Sequence, residues 1–154
     1  MKIIDMLKTD YILEELKSDN KRDVLKELVG SFMKIHQKLD SEATLNVLFE
    51  REKLGSTGIG EGIAIPHGKI TGLDQLILSF GRSAVGIDFD AMDGKPVHLF
   101  FLLIAPENSA GQHLKTLAKI SKMLKDGVFR TKLMAAKSKD ELYKIIANQD
   151  DLIS

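Results

Sequence analysis

Residues Val97 to Ala105 (VHLFFLLIA) are apolar throughout except for His98, and Pro106 follows them. A strand with one wet face alternates apolar and polar residues. A run apolar on both alternations has to be covered on both faces. The run is far too short to cross a bilayer. It therefore predicts a central strand over Val97–Ile104, ended by Pro106, inside a sheet that carries helices on each side.

The rest of the chain supplies those helices. Residues 21–39 place Val24, Leu25, Leu28, Val29, Phe32, Ile35 and Leu39 at helical spacing, with Ser18, Asp19 and Asn20 as candidate N-caps. A second helix fits 42–53, capped by Asp40 or Ser41. From Leu54 to Gly62 regularity breaks, with four glycines in nine residues. Ile63 to Ile65 then reads as a short strand stopped by Pro66. Leu76–Arg82 is a further strand, weakened at Gly81, and Gly86–Phe89 a short edge strand before a turn at Met92–Lys95. After the central strand, Asn108 or Ser109 caps a helix to about Leu124. Its apolar face is Leu114, Leu117, Ala118, Ser121 and Leu124, and Gly127 ends it. A short helix over Val128–Ala135 follows, and Ser138–Glu141 is a capping box opening a last helix to about Ala147. The order predicts an α/β fold (α+β in some schemes). It is a three-layer sandwich with a mixed sheet of about five strands flanked by helices on both faces, in one domain spanning 1–154.

Basic and acidic side chains balance at 22 each, which argues against nucleic acid as a partner. The absence of cysteine excludes disulfides, zinc–thiolate sites and thiol catalysis. The histidines lack the paired spacing of a metal hydrolase, so no metal and no tightly bound cofactor is expected. The N-terminus, MKIIDMLKTD, has no apolar run followed by small residues. A cytoplasmic location is expected, with any membrane protein a separate chain.

The stretch from Arg51 to Lys69 carries the chemistry. Glycines 55, 58, 60 and 62 allow positive φ and close backbone approach, so the N–H groups of Gly58 and Gly60 could cradle an anion beside the hydroxyls of Ser56 and Thr57. Arg51 can offer a forked guanidinium to phosphate oxygens. His67 lies between Pro66, which restricts Ile65, and Gly68, which lets the chain turn away. A neutral imidazole has one lone pair for attack on phosphorus, and its N–H needs an acceptor to fix the tautomer. The Gly-Lys-Ser/Thr ending of a Walker loop is absent.

The stretch Gly-Ser-Thr-Gly-Ile-Gly-Glu-Gly-Ile-Ala-Ile-Pro-His67-Gly-Lys resembles the active-site signature of the enzyme IIA family of the bacterial sugar phosphotransferase system, fructose/mannitol class. That class includes the nitrogen-regulatory IIA proteins. A second stretch, from Gly86-Ile-Asp-Phe through Pro-Val-His-Leu-Phe-Phe-Leu-Leu-Ile-Ala-Pro to Gly-Gln-His113-Leu, extends the resemblance, which runs on to the Ser138 capping box. It implies a type-2 EIIA domain in which His67 takes the phosphoryl group, His113 stabilises it and Arg51 binds it. His113, one turn into a helix, stands where amide dipoles favour an anion. The implied donor is a histidine phosphocarrier protein. The implied recipients are regulatory targets, or a IIB domain in sugar uptake, and a homodimer is allowed. The chain's free-standing form and motif wording favour the nitrogen-regulatory branch, although Glu61 stands where that branch is associated with Asn. A non-catalytic binding module of the same fold is the rival class. Ile59, Ile63 and Phe89 are candidates for an apolar docking rim.

Overall fold

The computed structural model describes residues 2–153. Its sheet has six strands: β1 (Ile12–Leu13), β2 (Gly58–Gly60), β3 (Ile63–Ala64), β4 (His67–Ile70), β5 (Ile77–Ile87) and β6 (Val97–Pro106). The helices are α1 (Lys21–Met33), α2 (Ser41–Lys53), α3 (Ala110–Leu124), α4 (Gly127–Ala135) and α5 (Lys139–Ile153). The apolar run is the central strand, as its composition requires. Pro106 is its last residue, and all but His98 are buried.

The strand order is β1-β5-β6-β3-β2, with β4 also paired to β6. β5 is antiparallel to β6, whereas β3 and β4 run parallel to it, so the sheet is mixed. α1 and α2 pack together, α1 on β5 and α2 on β4. α3, α4 and α5 form the other helical group, α3 on β6 and α5 on β1.

Several boundaries differ from the sequence reading, each for a physical reason. The first helix ends at Met33, and the chain turns before Leu39. The strand expected over Leu76–Arg82 does not end at Arg82 but runs to Ile87, absorbing the start of the expected edge strand. Gly81 is needed there because a Cβ would meet Leu28 and Leu16 at 2.8–2.9 Å. The last helix continues to Ile153, and its box is offset. Glu141 N–H donates to Ser138 Oγ, while the Glu141 carboxylate accepts from Lys137 N–H. In α3 the buried face is His113, Thr116, Ile120, Met123 and Leu124, which leaves Leu114 outside.

Two anchors hold the helical layers. The Arg82 guanidinium, buried in β5, donates to the carbonyls of Glu14, Leu133 and Ala136 at 3.0, 2.9 and 2.5 Å, closing the C-terminal end of α4. Asp126 caps α4, accepting from the N–H groups of Val128 and Phe129.

Candidate active site

His67 is placed by strand register. Ile63 pairs with Leu99, Ala64 with Phe100 and His67 with Leu103, a constant offset along β6. Pro66 therefore interrupts the ladder without ending it, and its carbonyl still accepts from Leu103 N–H at 2.9 Å. His67 opens β4 instead of closing a strand. Gly68 does not turn the chain away either. It is buried in β4, and a Cβ there would meet Val47 Cγ1 at 2.7 Å. Glycine at 68 lets α2 come down onto the strand, and α2 carries Arg51.

These elements bound a cavity of about 570 Å³ lined by His67, His113, Arg51, Lys69, Glu50 and an apolar set from α2 and α3. The rings of His67 and His113 meet edge to face, 5.5 Å between centroids. His67 Nδ1 lies 2.8 Å from the Ile65 carbonyl. A carbonyl only accepts, so Nδ1 carries the proton and Nε2 keeps the lone pair. Burial pushes the His67 imidazole below its ordinary value, and the Arg51 guanidinium adds to the effect. The Ile65 hydrogen bond and Glu52 oppose it. Burial, with His67 and Lys69, lowers His113 as well. Both rings are thus neutral near pH 7.

His113 is 6% exposed, and its Nε2 has no hydrogen-bond partner among the described residues. A buried nitrogen left that way costs about 1–3 kcal/mol, which a ligand atom in the cavity would offset. Ser109 occupies the N-cap position of α3 but does not cap it. Its hydroxyl donates to the Pro106 carbonyl and accepts from none of the first-turn N–H groups beside Ala110 on the cavity wall. Arg51 donates one guanidinium N–H to the Gly55 carbonyl at 2.9 Å, which holds the fork at the end of α2.

The structure brings together His67, His113 and Arg51, but not Ser56, Thr57, Gly58 or Gly60, none of which lines this cavity. The expected phosphate loop is a hairpin whose Thr57 and Gly58 N–H groups and Ser56 and Thr57 hydroxyls are committed elsewhere. Thr57 N–H and hydroxyl both bond the Glu52 carboxylate, Gly58 N–H donates to Ser56 Oγ, and the Ser56 hydroxyl donates to the Phe89 carbonyl. Gly58–Gly60 is strand β2, and the turn at Glu61 and Gly62 has φ of 58° and 75°. The rim also differs. Phe89 and Ile63 are buried at 0% and 3% exposure, and Ile59 borders a separate cavity near Arg130. The apolar residues at the mouth are Leu54 and Leu114, 85% and 67% exposed, with Val47 and Leu117 behind them.

Sequence reading missed Lys69 and this rim. Lys69 was legible as the next same-side residue after His67 in an extended segment. The rim was not, because it depends on how α3 is rotated.

Two neutral imidazoles beside a guanidinium, ringed by exposed leucines, suit reversible transfer of a small anion between proteins, the work of a relay protein. The family model described as "Phosphoenolpyruvate-dependent sugar phosphotransferase system, EIIA 2" matches residues 5–149, and the chain belongs to that family of phosphotransferase relay components. The nitrogen regulatory protein of Bradyrhizobium diazoefficiens is 40% identical over 147 residues, covering 96% of this chain and 95% of that protein. The fructose-specific EIIABC component of Bacillus subtilis is 38% identical over 151 residues, covering 98% of this chain and 24% of that protein. The crystal structure of nitrogen regulatory protein IIA-Ntr from Neisseria meningitidis superimposes with a TM-score of 0.87 at 36% identity, covering 92% of this chain and 97% of that one. The family works with phosphocarriers and IIB domains. Among the described residues no helix is long and apolar enough to cross a membrane.

Proposed function

We propose that His67 is the phosphoryl acceptor of a nitrogen-regulatory IIA component, charged by a phosphorylated histidine phosphocarrier protein. The observation that carries this reading is the Nδ1–Ile65 hydrogen bond, which leaves Nε2 as the nucleophile in a cavity shared with Arg51 and His113. The donor docks on the leucine rim and presents its phosphohistidine. The donor's phosphorus–nitrogen bond breaks, its electron pair returning to the donor imidazole, as the bond from phosphorus to His67 Nε2 forms. Arg51, His113 and the first-turn N–H groups of α3 meet the phosphoryl oxygens, so positioning and electrostatics perform the step. The whole chain acts as one EIIA type-2 domain in the cytoplasm, and the phosphorylation state of His67 governs binding to regulatory targets.

A second reading is supported by the 38% identity to the fructose-specific EIIABC component, close to the 40% of the nitrogen regulatory relative. In it the phosphoryl group passes on to a IIB domain. Incubation with phosphorylated phosphocarrier and intact-mass measurement tests the shared step. Wild type gains one phosphoryl mass and His67→Ala gains none. A mutant that labels fully refutes the assignment, and a wild type that never labels favours a pure binding module. Onward transfer to a fructose-type IIB domain at rates matching the first step selects the second reading.

A further inference from the structure

We propose that Lys69 is a second phosphoryl-binding cation, whose ammonium closes on the oxygens of the group carried by His67 and sets how much of the protein is phosphorylated at equilibrium. The inference rests on His67 being the acceptor. His67 and Lys69 stand two residues apart in β4, and strand alternation turns both side chains to the same side. Both line the cavity with Arg51 and His113. Gly68 and Ile70, between and beyond them, are buried.

Charge makes the case. A phosphoryl group near neutral pH carries close to two negative charges. Arg51 supplies one positive charge and is tethered at one N–H by the Gly55 carbonyl. Glu50, the acid of the cavity wall, is bonded to Lys53 at 2.9 Å, and no carboxylate forms an ion pair with Lys69 among the described residues. Lys69 is exposed, and its charge is felt at His113, inside the same site. A flexible stem ending in a point charge suits an anion that arrives and leaves, whereas the braced Arg51 fork suits one held in a set orientation.

Two other roles would place a lysine here: a solvated surface charge, or a contact with the docking protein. Equilibrium separates them from phosphoryl binding. The equilibrium constant for transfer depends only on the free energies of the phosphorylated and unphosphorylated proteins, so docking contacts cancel from it. Full-length wild type, Lys69→Met and Lys69→Arg are each brought to equilibrium with phosphorylated histidine phosphocarrier protein, and the phosphorylated fractions are read by intact mass. Lys69→Met is expected to lower the constant about tenfold, with Lys69→Arg close to wild type. In ³¹P NMR titrations of the phosphorylated forms, the phosphoryl group of Lys69→Met takes up its proton at higher pH than in wild type. Equal constants for wild type and Lys69→Met overturn the proposal, whether or not the KM for the donor rises. So does a fall in Lys69→Arg as large as in Lys69→Met, because charge alone is what the role requires. In both of those outcomes wild type still labels and the acceptor role of His67 stands. A wild type that takes no phosphoryl group removes both.

Discussion

Adding a single methyl group at Gly68 probes how α2 is seated over β4, the strand that His67 opens. A Cβ there lies 2.7 Å from Val47 Cγ1, with Leu48 Cδ2 and Val47 Cβ at 3.7 and 3.9 Å. Carbon atoms rest at about 3.5–4.0 Å, so close to 1 Å has to be found. Val47 cannot supply it by rotating, because a β-branched side chain on a helix is held to one χ1 well. In Gly68→Ala the helix backs away from β4. Overpacking of this kind costs about 1–3 kcal/mol, and at about 2–4 °C per kcal/mol for a domain of this size Tm falls by about 2–12 °C. Because α2 carries Arg51, the guanidinium moves off the proposed phosphoryl site. A misplacement near 1 Å slows transfer by on the order of 10–100-fold. Thermal denaturation and rapid-mixing phosphorylation kinetics read the two effects. Val47→Ala in the same chain removes the offending methyl, so the double variant is more stable than the sum of the single losses by about 1–2 kcal/mol. Unchanged Tm and rate in Gly68→Ala, or strict additivity in the double variant, would refute the reasoning.

Four other changes give distinct readouts. Burial holds the folded-state values of His67 and His113 below the ordinary imidazole value, so the unfolded chain binds protons first as pH drops. The stability this contributes is whole above about pH 6.5 and is lost as pH falls through the lowered values, which urea midpoints across that range measure. Arg51→Met removes a like charge and raises the His67 pKa, visible in NMR titration of the ring. Arg82→Met leaves the carbonyls of Glu14, Leu133 and Ala136 without their donor and is expected to cost about 2–4 kcal/mol in chemical denaturation. Glu61→Asn is expected to raise stability by about 0.5–1 kcal/mol, since Asn accepts the left-handed φ of 58° better than Glu and Asn-Gly is the preferred pair for such a hairpin turn.

Features with a local physical cause were legible in the sequence. The central strand followed from an apolar run too uniform to have a wet face. The caps of α1, α2 and α5 followed from Asn20, Asp40 and Ser138 preceding helical spacing. What required the folded chain was set by distant partners. Gly68 and Gly81 are glycines because side chains of α1, α2 and the segment after β1 press on them, not because the chain bends. The glycines before His67 looked like an anion cradle, yet Glu52 and Ser56 had already taken the N–H groups of Thr57 and Gly58. The rotation of α3 exposed Leu114 and buried His113, the reverse of what an apolar stripe through Leu114 and Leu117 implies.

The central claim is that the phosphoryl group rides on Nε2 of His67. ¹⁵N-resolved histidine correlations recorded before and after charging by phosphorylated phosphocarrier test it directly. The account predicts that one ring changes, that of His67, with phosphorus coupled to Nε2 while Nδ1 keeps its proton on the Ile65 carbonyl. Phosphorus coupled to Nδ1 of that ring, or to either nitrogen of His113, would contradict it.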